Sequence, residues 1–114
     1  MMMNTKKDIV KKLAIPLPID AIKNFCQRWQ IAELSVFGSI LRDDFNTDSD
    51  VDFLYVLKPN IHWRLVDLMG AEEELEKLLS RKVDLVNKSS VEQSHNWLRK
   101  QNILSSALVI YDSK

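Results

Sequence analysis

The dipeptide Gly38-Ser39 and, after ten intervening residues, the segment 50–56 (Asp-Val-Asp-Phe-Leu-Tyr-Val) decide the fold of this chain. The pattern predicts a strand that ends in a tight Gly-Ser turn, a short helix and loop, and a second strand that begins with two carboxylates. Asp50 and Asp52 are two residues apart, so on a strand both side chains point to the same face. The stretch therefore predicts paired acids close to a tight backbone turn.

The residue types in this stretch suit a nucleoside triphosphate. Gly38 has no Cβ, so the backbone can approach a ligand closely. Ser39 begins the next helix, where its hydroxyl and unpaired backbone N–H groups can bind phosphate oxygens. Asp50 and Asp52, separated by roughly 6.5 Å of extended chain, can share two divalent cations about 3.5–4 Å apart, as in two-metal phosphoryl-transfer sites. A phosphate-binding turn thus precedes a pair of metal carboxylates.

The choice of acids has alternatives. Asp48 and Asp50 also form an Asp-x-Asp pair, but we select Asp50 and Asp52 because they adjoin an apolar strand that would hold them rigidly, whereas Asp48 falls in a polar loop. A simpler interpretation is that these acids only solubilise the start of a strand. The Gly-Ser turn ahead of them and Asp84 behind them favour the functional interpretation.

Asp84 lies within the apolar segment 83–86 (Val-Asp-Leu-Val). We expect it to be buried, and a buried carboxylate needs a partner, for which a cation is the natural choice. It is therefore predicted to be a third metal ligand and the base that takes a proton from the acceptor. The alternative is an ion pair with Lys82 or Arg81 at a strand end.

Arg42 follows the Gly-Ser turn, and its planar guanidinium is well suited to bind phosphate. The neighbouring acids offer a second interpretation, in which Arg42 pairs with Asp43, Asp44 or Asp48. We favour this local ion pair. Arg42 is nevertheless kept among the candidate phosphate-binding residues, with Gly38 and Ser39.

Composition excludes several classes of protein. The chain has 114 residues, enough for one domain, and its 16 basic and 16 acidic residues balance, so it has no global charge for binding long nucleic acid. No stretch approaches the ~20 apolar residues of a membrane helix, and the start lacks the apolar run of a signal peptide. Cys26 is the sole cysteine, which excludes a disulfide framework, and it falls on the apolar stripe of a helix. We expect a cytoplasmic protein without a membrane partner.

Helical and strand patterns alternate along the chain, and no internal repeat is visible. Residues 1–17 are expected to form a loosely ordered lead, and residues 18–114 a single domain. Within that domain, periodicity predicts helices over 20–30 (with Asp20 as N-cap), 63–80 and about 91–105, and strands over 32–37, 50–57, 82–86 and 108–111.

The longest predicted helix, 63–80, has an apolar stripe and a glutamate-rich face. Gly70 inside it predicts a close contact with the sheet. The residues expected to be buried are Leu65, Leu68, Met69, Leu75, Leu78 and Leu79, and those expected to face water are Glu72, Glu73, Glu74 and Glu76. The fold class is therefore α/β (α+β), a small mixed sheet backed by helices.

The segments 37–42 (Phe-Gly-Ser-Ile-Leu-Arg) and 48–54 (Asp-Ser-Asp-Val-Asp-Phe-Leu) resemble the nucleotidyltransferase superfamily, whose signature is Gly-Ser, a gap of this length, and Asp-x-Asp/Glu. Within it they are most similar to the minimal nucleotidyltransferases of the MntA type, the antitoxins of HEPN/MNT toxin–antitoxin pairs. The similarity covers about residues 31–111. The chain departs from the family at Asp43, where glycine is frequent.

This resemblance implies a polymerase-β-like palm, Mg²⁺ as cofactor and ATP as donor. It implies that Asp50, Asp52 and Asp84 hold the metal ions, and that AMP is transferred to a tyrosine of a HEPN ribonuclease toxin, which silences it. Two alternatives stay open at this stage. The chain can be an antitoxin that acts by binding alone, or a nucleotidyltransferase for a small molecule, although it has no room for a second lobe to hold one.

Overall fold

The computed structural model describes residues 13–113. Helices and strands alternate within these residues, and the predicted strands are confirmed to within a residue or so of their ends. The elements are α1 (Ile19–Arg28), β1 (Ile31–Phe37), a 3₁₀ helix (Gly38–Leu41), β2 (Val51–Leu57), α2 (Leu65–Leu79), β3 (Val83–Asn87), α3 (Lys88–Glu92), α4 (Trp97–Ser106) and β4 (Leu108–Asp112).

The strands form one mixed sheet in the order β3-β2-β1-β4. β1 runs antiparallel to both β2 and β4, whereas β2 and β3 are parallel and are joined through α2. Parallel neighbours need such a crossover because a tight turn cannot connect them. The register places Phe37 opposite Asp52 and Asp52 beside Asp84. The sheet therefore places the C-terminal end of β1 and both acids side by side, at the same end of its strands.

Both faces of the sheet are covered. The larger core lies under α1 and α2, and its fully buried side chains include Phe25, Phe53 and Leu75. The smaller core lies on the opposite face, where α3 and α4 pack through Val91 and Ile103 against Phe37 and Leu54. Asp52 shares the face of Leu54, two residues further along β2. The acid therefore lies on the side of the sheet that α4 covers.

The predicted helix over 91–105 is wrong in its extent, because two helices occupy this region. An asparagine caps each of them: Asn87 Oδ1 accepts a hydrogen bond from Ser89 N at 2.9 Å, and Asn96 Oδ1 accepts one from Arg99 N at 3.1 Å. Such caps fix a helix start by pairing an otherwise unsatisfied N–H group. The chain therefore leaves the helical path after Glu92 and re-enters it at Trp97.

The buried stripe of α2 is displaced from the predicted one. Ala71 and Leu75 are buried, but Leu65 and Met69 are 73% and 59% exposed. The buried face follows positions 68, 71, 75 and 78, and Leu65 and Met69 lie to one side of it. Gly70 does mark a close contact, but with Trp29, the residue that follows α1, rather than with the sheet. A Cβ at position 70 would lie 3.1 Å from Cη2 of Trp29.

Three glutamates of α2 do not simply face water as predicted, and one of them, Glu74, accepts a hydrogen bond from Trp29 Nε1 at 3.1 Å. Glu72 accepts a hydrogen bond from Leu85 N at 3.0 Å, and Glu76 accepts one from Val83 N at 3.2 Å. These N–H groups belong to β3, the edge strand beside β2. Pairing them with side chains removes donors that another strand would otherwise bind.

The N-terminal predictions fall partly outside the described residues, since these begin at Leu13. Leu13 and Leu17 are buried in the larger core, and Ala14 N donates to Ile40 O at 2.8 Å. The division of the chain at residue 18 stays a prediction. Asp20 is not the N-cap of α1, because the helix begins at Ile19 after Pro18.

The prediction for Cys26 is confirmed. Its side chain is fully buried in the larger core, and this burial raises the pKa of the thiol to about 12. Between residues 13 and 113, no helix is both long enough and apolar enough to cross a membrane.

Candidate active site

The turn after β1 has the close geometry that its glycine predicts. Gly38 has a φ of 78°, in the left-handed region that residues with a Cβ avoid. A Cβ there would lie 2.6 Å from Asp52 Oδ2. Ser39 Oγ donates to the carbonyl oxygen of Asp50 at 3.3 Å. The Gly-Ser turn is therefore attached directly to the start of the acidic strand.

Asp52 and Asp84 are neighbours across the parallel pair β2–β3. The pKa of Asp52 is raised to about 6, first by partial burial and then by the negative charges of Asp84 and Asp50. The positive charge of Arg42 opposes this rise. The fold thus concentrates negative charge that a bound cation would relieve.

Asp84 is exposed, so the expectation that it is buried is wrong. Its strand neighbours Val83 and Leu85 are buried because they point to the other face of the sheet. Within residues 13–113, Asp84 forms no ion pair with Arg81 or Lys82. The alternative interpretation of Asp84 is therefore not supported, and its carboxylate is accessible to a ligand.

Arg81 fixes the loop that leads into Asp50. Its Nη1 donates to the carbonyl oxygens of Asn46 at 3.0 Å and Ser49 at 2.8 Å. Its guanidinium lies 4.7 Å from the centre of the Phe45 ring, a cation–π contact. Sequence reasoning treated Arg81 only as a partner for Asp84 and missed this contact, which depends on pairing residues more than 30 positions apart.

An open cleft of about 490 Å³ lies between α4 and the end of the sheet that carries Asp52 and Asp84. On the sheet side its wall includes Gly38, Arg42, Asp52 and Asp84. Ser39 and Asp50 are not part of its lining, and Asp50 instead borders a separate pocket with Thr47 and Arg81. On the helix side the cleft is lined by Asn96, Leu98, Arg99, Asn102, Ile103 and Ser106.

The two arginines of the cleft differ in their partners. Arg42 Nε lies 3.1 Å from Asp44 Oδ1, which confirms the predicted local ion pair, although the side chain also reaches the cleft. Arg99 has no side-chain hydrogen bond or ion pair to any residue of the described segment. Sequence reasoning missed the α4 residues. Asn96, as a potential cap, was the one available signal.

The chemistry of the acids fits a hard divalent cation. Asp50, Asp52 and Asp84 offer only carboxylate oxygens, the donors that Mg²⁺ prefers. Burial first, and then repulsion by the other two acids, raises the pKa of Asp52. Across residues 13–113, no three acidic, histidine or cysteine side chains are yet gathered around one point as metal ligands. The assignment of all three acids as ligands therefore stays a prediction, and Asp52 and Asp84 are the pair that the sheet itself assembles.

The family model for the nucleotidyltransferase domain matches residues 19–110, which include the whole cleft. The chain belongs to the nucleotidyltransferase family. The predicted fold, a small mixed sheet backed by helices, is confirmed.

Proteins similar to this nucleotidyltransferase include a protein adenylyltransferase and solved toxin–antitoxin structures. The protein adenylyltransferase MntA of Thermococcus cleftensis is 41% identical over 71 residues, covering 60% of this chain and 68% of the relative. A solved toxin–antitoxin structure with AMP-PNP gives a TM-score of 0.66 at 16% identity, covering 86% of this chain and 76% of the other. A tri-AMPylated Shewanella oneidensis HEPN toxin in complex with MNT antitoxin gives 0.53 at 16% identity, covering 82% and 69%. At these identities the two solved structures show a shared fold.

Proposed function

We propose that this nucleotidyltransferase transfers AMP from ATP to a hydroxyl of a HEPN-family ribonuclease toxin and so acts as its antitoxin. The observation that carries the proposal is the Asp52–Asp84 pair beside the Gly38 turn, at the wall of an open cleft. The 41% identity to a protein adenylyltransferase supports AMP as the transferred group. The structural similarity to toxin–antitoxin complexes supports the class of partner.

The donor is held at the Gly-Ser turn. Gly38 lets the turn lie against Asp52, because a Cβ there would meet the Asp52 carboxylate, and its backbone without a side chain allows the triphosphate to approach closely. Ser39 begins the 3₁₀ helix, and in this proposal its hydroxyl leaves the carbonyl oxygen of Asp50 to donate, with nearby N–H groups, to phosphate oxygens. Arg42 adds a positive charge at the wall of the same cleft.

Mg²⁺ is held by Asp50, Asp52 and Asp84 in this proposal, and when bound it neutralises charge on the phosphates and on the leaving pyrophosphate. The chain's own contribution is to fix Asp52 and Asp84 on two adjacent strands and Asp50 at the residue before β2. Their positions depend on the β2–β3 register and on the loop that Arg81 holds. Such rigid placement is what phosphoryl transfer requires of a protein.

In the transfer step, the acceptor oxygen forms a bond to the α-phosphorus as the bond from that phosphorus to the oxygen bridging to the β-phosphate breaks. Pyrophosphate leaves, and the hydroxyl proton passes to the carboxylate of Asp84. A tyrosine hydroxyl has a pKa near 10, so it is mostly protonated at neutral pH and needs such help. Because Asp84 is exposed at the cleft, a side chain presented by another protein can reach it.

Labelled ATP tests this proposal. The chain is incubated with Mg²⁺, the partner HEPN toxin and ATP labelled either at the α- or at the γ-phosphate. Label on the toxin from α-labelled ATP alone is the expected result, because AMP retains only that phosphate. Transfer of the γ-label would indicate a kinase, and an unlabelled toxin with free AMP would indicate hydrolysis; either result contradicts the proposal.

A further inference from the structure

The side of α4 that faces the cleft carries a cation with no partner in the described part of the chain. Arg99 lines the cleft opposite Asp52 and Asp84. Ile103, one turn further along, is buried against the smaller core and anchors this side of the helix on the sheet. The Arg99 backbone N–H is already taken by Asn96 Oδ1, which fixes the first turn. The guanidinium is thus carried by a positioned helix and is available to a ligand.

We propose that Arg99 binds the β- and γ-phosphates of the donor nucleotide from the α4 side of the cleft. This inference rests on the proposed function, since it names a residue that recognises the substrate of that same site. A nucleoside triphosphate adds negative charge to a site whose acids already repel one another, so a cation beside the outer phosphates would stabilise the complex. Arg42, the other cation in the wall, already has Asp44 as a partner at 3.1 Å. A guanidinium can donate two parallel hydrogen bonds to phosphate oxygens.

The adjacent residue, Lys100, provides a matched control. It carries the same charge on the same helix but borders a different surface depression, with Trp97, Gln101 and Leu104. Removing its charge changes the net charge of the chain as much as removing that of Arg99. Only Arg99 faces the acidic pair.

Calorimetric titration of the full chain with ATP, ADP and AMP in the presence of Mg²⁺ tests the inference. Arg99→Ala is expected to weaken ATP binding by about tenfold or more, the usual value of hydrogen bonds to a charged group. AMP binding should stay unchanged, because AMP lacks the two outer phosphates. Arg99→Lys should be intermediate, since it keeps the charge and loses the paired geometry. Lys100→Ala should match the parent for all three nucleotides.

The outcomes separate this inference from the proposed function. If Arg99→Ala binds ATP as the parent does, the inference is overturned while the proposed function stands. If it weakens ATP and AMP equally, Arg99 does not recognise the outer phosphates, and the inference is again overturned. A selective loss of ATP binding by Arg99→Ala supports the inference, whether or not the parent transfers AMP to a toxin. A failure of the parent to transfer AMP would contradict only the proposed function. Thermal unfolding of Arg99→Ala and Arg99→Lys confirms that both variants fold.

Discussion

Gly38 and Asp52 lie so close together that a Cβ on the glycine would come within 2.6 Å of Asp52 Oδ2. The contact joins the turn that would hold the triphosphate to the acid that would hold its metal ion. The glycine is also required by the backbone, because its φ of 78° is unfavourable for any residue with a Cβ. One small residue therefore satisfies a conformational and a spatial requirement at once.

Gly38→Ala is consequently expected to lower the free energy of unfolding by about 1–3 kcal/mol and to reduce AMP transfer at least tenfold. Urea unfolding and a transfer assay measure the two effects. Gly70→Ala is the control, since it changes the other glycine, in α2 beside Trp29 and outside the cleft, and should leave transfer unchanged. Normal transfer by Gly38→Ala would mean that the phosphates bind elsewhere.

The pKa of Asp52 predicts how stability depends on pH in metal-free buffer. Because this pKa is raised from 3.8 to about 6, the folded chain retains a proton that the unfolded chain has released between those values. The free energy of unfolding should therefore fall as pH rises from about 4 to 6 and then level off. Asp52→Asn should lose this fall and be more stable than the parent above pH 6.

Urea unfolding at several pH values compares the parent with Asp52→Asn. Mg²⁺ added at pH 7 should raise the melting temperature of the parent and have little effect on the variant. Equal pH dependence in the two proteins would contradict the raised pKa of Asp52.

Arg81 is expected to act through the position of Asp50. Arg81→Ala removes two hydrogen bonds to the loop carbonyls and the contact with Phe45, so the start of β2 should become less well ordered. We expect transfer to fall by roughly ten- to 10²-fold, because small displacements of reacting groups have effects of that size. The Mg²⁺ concentration needed for half-maximal transfer should rise in parallel. An unchanged requirement for Mg²⁺ would show that Arg81 has no part in placing the metal ligands.

Asp84→Asn separates an enzyme from a protein that acts by binding alone. The substitution keeps the shape of the side chain and removes its charge, and the fold should tolerate it because Asp84 is exposed. Transfer should fall by about 10²-fold or more, the usual contribution of a general base. Binding to the toxin should change little, since one residue at the edge of an interface seldom dominates its affinity.

Measured together, transfer, affinity and protection of cells from the toxin test this role of Asp84. We expect Asp84→Asn to bind the toxin without modifying it and without protecting cells. Full protection by the variant, with no AMP on the toxin, would show that binding is sufficient.

The sequence predicts the parts of the site that depend on local order. Gly38, Ser39, Asp50 and Asp52 are close in the chain, so their spacing alone predicts a turn followed by an acidic strand. The exposure of Asp84 could not be read in this way. Its apolar neighbours suggested burial, but they point to the other face of a strand at the sheet edge.

Tertiary packing decides the remaining features. Arg99 is one of several polar residues on an exposed helix. The packing of Ile103 against the sheet determines that Arg99 faces the cleft. Leu65 and Met69 fit a helical apolar pattern equally well whether or not the helix buries that side. The loop contacts of Arg81 likewise join distant parts of the chain. Periodicity identifies an element but not the neighbours against which it packs.

The intact mass of the partner toxin tests the central claim most directly. The purified toxin is incubated with ATP and Mg²⁺, together with the parent chain or with the Asp50→Asn/Asp52→Asn double variant. Its intact mass is then measured by mass spectrometry. We expect the toxin to gain the mass of one or more whole AMP groups with the parent and none with the double variant, because a neutral amide is a poor ligand for a hard cation. A toxin of unchanged mass after incubation with the parent, or an equal gain with the double variant, would contradict the central claim.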